Sequence, residues 1–259
     1  MPATISEIAG VRYLHLDTPW VQGAMRINKP LAIELDYVQR MMAWMLWRPS
    51  ESLGEGLAVQ LGMGAGAITR YCHRKLRMQT LAVELNPSVI SACRMWFRLP
   101  ADDARLSVLQ GDAAHWVADA ANRATVQALC VDLYDHDAAA PVLDDDAFYA
   151  DCRATLVEGG LMTVNLFGRE ASFAHSLRHI VAAFGAGSVW PLRPTREGNS
   201  VVVASRGVAL PERAVLKDRA ARIEASLDLP ARKWLRMIRS VDLPGTQQVG
   251  GTTASESTP

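Results

Sequence analysis

The stretch Leu57-Ala-Val-Gln-Leu-Gly62-Met-Gly64-Ala-Gly66-Ala-Ile-Thr-Arg70 decides the fold. An apolar β-type run breaks into glycines at alternate positions and re-emerges with helical character. One glycine at a strand-to-helix turn is structural; three so close together let the backbone approach a ligand. Outward from this turn, apolar β-type runs at residues 57–61, 80–84, 106–109, 128–133 and 161–166 each lead into a turn and a more polar helical segment. That alternation is the mark of parallel βαβ units, and strands so continuously apolar are covered on both faces. Residues 188–192 and 200–205 flank Pro194 and the Gly198-Asn199 turn signal, which predicts an antiparallel closing hairpin. The reading is α/β: a Rossmann-like, doubly wound, mostly parallel sheet of about seven strands.

The flanks read differently. Short β-type pieces at residues 11–16 and 24–27 and a helix over 37–47 predict a β-containing amino-terminal extension over 1–50, ahead of a nucleotide-binding catalytic domain over 51–206. Two terminal helices, 212–227 and 231–240, fill 207–244, and the Gly-, Thr- and Ser-rich tail 245–259 is expected to be disordered. Between Arg40 and Trp47, Met41, Met42, Trp44 and Met45 carry more apolar surface than one helix face needs, which predicts a homodimer contact.

Composition narrows the partners. With 27 Lys plus Arg against 27 Asp plus Glu the net charge is zero, so no global field gathers nucleic acid or anionic lipid. The opening MPATISEIAGVRYLHLD lacks the basic start and apolar run of a secretory signal, and no apolar stretch is long enough to span a bilayer. Cys72, Cys93, Cys130 and Cys152 form no CxxC pair and read as reduced cysteines of a cytoplasmic protein. No nucleic acid, membrane or metal partner is expected. His136 sits between Asp135 and Asp137, but three side chains crowded on one loop lack the spacing metals favour.

Gly62, Gly64 and Ala67 satisfy a dinucleotide fingerprint as well as an S-adenosylmethionine turn, so the glycines leave the nucleotide open. Glu84 ends the second strand, where a carboxylate accepts ribose hydroxyls in either class. Gln110-Gly111-Asp112-Ala113 ends the third and offers a carboxylate where an adenine amino group would sit, a need that a dinucleotide site does not share. Asp112 also suits the cap of the helix that follows. After the fourth strand, Asp132-Leu133-Tyr134-Asp135 sets two carboxylates three residues apart at the ligand-binding edge of the sheet. Asp144-Asp145-Asp146 reads as a helix cap or as an attractor of cations near the entrance.

The order of glycine turn, Val83-Glu84-Leu85-Asn86-Pro87, Gly111-Asp112-Ala113 and Asp132-x-x-Asp135 resembles the spermidine synthase (polyamine aminopropyltransferase) family, within the class I S-adenosylmethionine-dependent methyltransferase-like superfamily. The likeness extends to Gln22, Pro30, Tyr37 and Met41 upstream and to Pro141, Leu143, Phe148-Tyr149, Leu156 and Gly159-Gly160 downstream, covering roughly residues 12 to 205. It implies transfer of an aminopropyl group from decarboxylated S-adenosylmethionine to a small cationic amine such as putrescine. Asp132 then matches the catalytic base and Asp135 the second carboxylate, which helps hold the amine. Gly62, Gly64, Gly66, Glu84, Asp112, Ala113 and Asp132 match the nucleotide-binding set, and Gln22, Tyr37, Tyr134 and Asp135 fall in the substrate pocket.

The chain departs from that pattern. The acid of the family's Gly-Gly-Gly-Asp-Gly run, which faces the donor's amino group, is Ala65; Val38 and Gln39 replace a histidine and a glutamate, His136 a proline and Asn165 a glutamine. An acid at 65 would repel the carboxylate of ordinary S-adenosylmethionine, and alanine does not. Methyl transfer from ordinary S-adenosylmethionine is therefore the alternative, followed by a catalytically silent nucleotide-binding homologue.

Overall fold

Three short strands, β1 (Thr4–Ile8), β2 (Val11–His15) and β3 (Gly23–Arg26), pair antiparallel as a small sheet in that order. The computed structural model describes residues 1–134, 143–167 and 170–241. Helix α1 (Asp36–Met41) follows and tightens into a 3-10 segment, Met42–Trp47, so the helix expected over 37–47 is two elements.

The main sheet begins at β4 (Leu57–Leu61) and gains β5 (Gln79–Glu84), β6 (Leu106–Gln110), β7 (Val126–Val131), β8 (Leu156–Phe167), β9 (Val189–Pro191) and β10 (Asn199–Ser205). Its order is β6-β5-β4-β7-β8-β10-β9, with β10 antiparallel to both neighbours and the other pairings parallel. The chain winds outward from β4 to β6 and then returns to β7 on the other side. That reversal leaves a crevice beyond the carboxyl ends of β4 and β7, where ligands of such sheets bind. Helices α2 (Ala67–Arg70), α3 (Pro87–Trp96), α4 (Ala113–Ala118), α5 (Asp146–Thr155), α6 (Glu170–Phe184), α7 (Arg213–Leu227) and α8 (Ala231–Trp234) complete the fold. None among the described residues is long and apolar enough to cross a membrane.

Two flanking elements differ from expectation. Residues 42–47 are all buried, packed in one cluster with Val201 and Val203 of β10 and with Leu216, Ala220, Ile223 and Trp234 of α7 and α8. The Thr163 hydroxyl donates to the Met41 carbonyl at 2.9 Å, and Arg219 donates to the Leu46 carbonyl at 2.9 Å. The apolar surplus that pointed to a subunit contact is thus consumed within the chain. The last helix, expected over 231–240, stops at the buried Trp234; beyond it Arg193 N–H donates to Met237 O and Arg239 N–H to Pro191 O, pinning the chain to β9.

Candidate active site

The glycine turn is shaped by what lies against it. Gly62 has φ +77°, and a Cβ there would stand 2.1 Å from the Asp132 carbonyl oxygen. Gly64 has φ +49°, and its Cβ would stand 2.6 Å from the Gln22 carbonyl oxygen. No side chain fits in either place, and the left-handed backbone disfavours one in any case. The turn is wedged between the end of β7 and the loop joining β2 to β3, so the extension and the sheet close on one space.

That space is a cavity of about 700 Å³. It is lined by Gly62 and Gly64, by Glu84, by Gly111, Asp112 and Ala113, and by Asp132 and Tyr134; the extension adds Trp20, Gln22, Glu34, Asp36 and Tyr37, and the last strands add Asn165 and Asn199. Glu84 accepts the Met63 N–H at 2.8 Å through Oε2 and the Asn86 N–H at 2.9 Å through Oε1, tying the second strand to the glycine turn. Burial raises its pKa, and the backbone N–H groups of Asn86, Met63 and Leu85 oppose the rise. Asp112 caps α4, accepting the Ala114 N–H at 2.8 Å through Oδ1, and lines the cavity as well.

Asp132 is held at both of its carboxylate oxygens. Its Oδ1 accepts from Asn165 Nδ2 at 2.9 Å and its Oδ2 accepts from the Tyr37 hydroxyl at 3.2 Å. Burial pushes its pKa up to about 6, against the pull of those two hydrogen bonds. Tyr37 moves upward too, through burial and then the neighbouring Asp132 charge, so its proton stays on the hydroxyl. The Tyr134 hydroxyl donates to the Asn165 carbonyl at 2.9 Å. Gln22 contributes a buried Nε2 with no hydrogen-bond partner among the described residues.

Six carboxylates line the cavity, Glu34, Asp36, Glu84, Asp112, Asp132 and Glu197, and no lysine, arginine or histidine among the described residues does. Arg26 pairs with Glu34 from outside at 2.6 Å and Arg40 with Asp36 at 2.5 Å.

The amino-acid sequence is 28% identical over 201 residues, 77% of this chain and 74% of the relative, to a polyamine aminopropyltransferase of Neisseria meningitidis. It is 26% identical over 249 residues, 95% of this chain and 91% of the relative, to a polyamine aminopropyltransferase of Chromobacterium violaceum. The chain is thus similar in sequence to polyamine aminopropyltransferases. Its fold is shared with a probable spermidine synthase from Corynebacterium glutamicum at a TM-score of 0.73 and 16% identity, covering 95% of each chain. No family model matches the chain.

Among the residues picked out from the sequence, Gln22, Tyr37, Gly62, Gly64, Glu84, Asp112, Ala113, Asp132 and Tyr134 meet in the cavity. Gly66 does not line it; this glycine precedes α2 with φ +68° and faces Arg70 and Leu99. Asp135, His136, Asp137 and Pro141 lie outside the described residues. Ala65 is 3% exposed and stands over Gly23, where a Cβ would come within 2.6 Å of its own. Asp145 caps α5 by accepting the Phe148 N–H at 2.7 Å, and Asp144 accepts from the Tyr149 and Ser176 hydroxyls, so two of the three aspartates serve local structure. Sequence reasoning missed Glu34, Asp36, Glu197 and Asn199. The first two flank Tyr37 closely enough to have been suspected, whereas Asn199 carried only a turn signal.

Proposed function

We propose that the chain transfers the aminopropyl group of decarboxylated S-adenosylmethionine to a small diamine such as putrescine, with release of methylthioadenosine. The observation that supports this most is the charge of the cavity: six carboxylates and, among the described residues, no cationic side chain. Such a lining concentrates cations and disfavours a ligand that brings its own carboxylate. A decarboxylated sulfonium with a free ammonium group, and a diamine beside it, suit that field.

In this reading the close-approach backbone at Gly62 and Gly64 seats the adenosyl group, Glu84 accepts the ribose hydroxyls and Asp112, beside Ala113, faces the adenine. Gln22, Tyr37 and Tyr134 surround the amine, and the family resemblance implies that Asp135 helps to hold it. An alkylamine has a pKa near 10.4, so presenting it neutral at pH 7 costs about 4 to 5 kcal/mol unless the site assists. The adjacent sulfonium favours the neutral amine, and Asp132 accepts a proton. The amine nitrogen bonds to the methylene carbon next to sulfur, the carbon–sulfur bond breaks with its electron pair passing to sulfur, and the proton lost by nitrogen goes to Asp132. Holding nitrogen and sulfonium in line supplies much of the remaining acceleration.

Ala65 favours a second reading, methyl transfer from ordinary S-adenosylmethionine, because its methyl group repels no carboxylate. Calorimetric titration separates the two. The decarboxylated donor is expected to bind at least about tenfold more tightly, roughly 1.4 kcal/mol. Preference for the ordinary form would move the chemistry to methyl transfer, and binding of neither would favour a silent homologue.

A further inference from the structure

Asn165 and Asn199 form a line of amides leading to Asp132. Asn165 Nδ2 donates to Asp132 Oδ1 at 2.9 Å, and Asn199 Nδ2 donates to Asn165 Oδ1 at 3.2 Å. The topology makes this meeting possible. Asp132 follows β7, Asn165 lies on β8, and antiparallel β10 brings its first residue, Asn199, to the same edge of the sheet. In the β8–β10 register Asn165 faces Val201 and Asn199 faces Phe167, so the two asparagines are diagonal neighbours on one face. Asn199 is itself clamped: its N–H donates to the Thr195 hydroxyl at 3.2 Å, and its carbonyl accepts the Thr195 N–H at 2.7 Å.

The direction of the line is chemically forced. A carboxylate only accepts, so Asn165 must turn its NH₂ toward Asp132 and its oxygen away, and Asn199 must then present NH₂ to that oxygen. The other Asp132 oxygen meets a different kind of partner. Tyr37 donates to Oδ2 through a hydroxyl that can rotate and accept instead.

We propose that Asn199, acting through Asn165, is a positioning residue for the transfer: it locks the Asn165 amide so that Asp132 Oδ1 remains an acceptor and Oδ2 is the atom that takes the proton of the attacking amine. The inference rests on the aminopropyl-transfer reading for the identity of that amine. The titratable groups facing Asp132 are Tyr37 from α1, Tyr134 from its own loop and Cys130 from β7; burial raises all three, Cys130 to about 12. The cavity's other acids are Glu34, Asp36, Glu84, Asp112 and Glu197. Donors to a carboxylate favour its ionised form, so loosening the Asn165 amide must raise the Asp132 titration midpoint.

The test uses the full chain with carboxyl-13C aspartate, the Asp132 resonance being assigned by its loss in Asp132→Asn. In Asn199→Leu the Asp132 midpoint is expected to rise by about half a pH unit or more. Turnover should fall about tenfold with the amine KM within about twofold of wild type, the pattern of lost orientation rather than lost binding. Asn199→Gln keeps a donor and should recover both properties. An unmoved midpoint in Asn199→Leu, or a rise in KM with kcat unchanged, would overturn the proposal. The titration needs no substrate: a raised midpoint in a protein that makes no aminopropyl product would uphold the positioning and sink the reading of function.

Discussion

A base for the proposed transfer must be ionised at neutral pH and still hold a proton well enough to take it from an amine. Asp132 meets both demands because burial lifts its pKa to about 6 while the Asn165 and Tyr37 donors keep it from rising further. It follows that kcat/KM should fall about tenfold per unit below pH 6, as the carboxylate is protonated. The same shift bears on stability. The folded value of about 6 lies above the ordinary carboxylate value of 3.8, so the folded state holds its proton more firmly than the unfolded one. Destabilisation therefore accumulates as pH rises from about 4 to 6 and is constant above that window. Asp132→Asn should lower turnover by about 10²- to 10⁴-fold and leave donor affinity within about threefold. It should also equal or exceed wild type in denaturation midpoint at pH 8, since asparagine can accept from Asn165 and donate to the Tyr37 oxygen. A lower midpoint for the variant at pH 8 would contradict this electrostatic account.

Two elements carry opposite burdens. The glycine turn has little room: at Gly62 a methyl group would meet the Asp132 carbonyl at 2.1 Å and force a φ of +77° on alanine. Gly62→Ala should cost about 1–3 kcal/mol of stability and, by displacing the end of β7, reduce donor affinity and turnover together. Denaturant melts and calorimetry on one preparation check this. The 3-10 segment Met42–Trp47 is core and lies on the side of the sheet toward α7 and α8. Trp44 is 0% exposed, so Trp44→Ala should destabilise by about 3–5 kcal/mol. Trp44 lines no part of the cavity, so donor affinity in the folded fraction should stay within twofold. How far the sequence could be read differs in the same way. The central strands of the main sheet, β4, β7 and β8, were legible because burial on both faces makes each a largely apolar run. β1, Thr-Ile-Ser-Glu-Ile, was missed because a short, largely exposed strand has no such run. The early end of α8 was hidden too, since it depends on backbone pairing with β9 more than forty residues away in sequence.

At the scale of the whole molecule, zero net charge conceals a separation: acids face the cavity, and the arginines that balance Glu34 and Asp36 stand behind them. Composition alone could exclude a global field but could not show this local one, which arises only when the extension folds over the sheet. One part of the cavity lining was legible for a related reason. Gly62, Glu84 and Asp112 each stand at or just beyond the end of a strand, and strand ends can be read from pattern. Asn199 was not, because it reaches Asn165 across 34 residues of sequence and a sheet pairing. The central claim is that this cavity joins an aminopropyl donor to an amine, and mass spectrometry of the products tests it most directly. With decarboxylated S-adenosylmethionine and putrescine the full chain should yield spermidine and methylthioadenosine in equal amounts, and Asp132→Asn should yield almost none. Methylated putrescine formed from ordinary S-adenosylmethionine, with no spermidine from the decarboxylated donor, would contradict it.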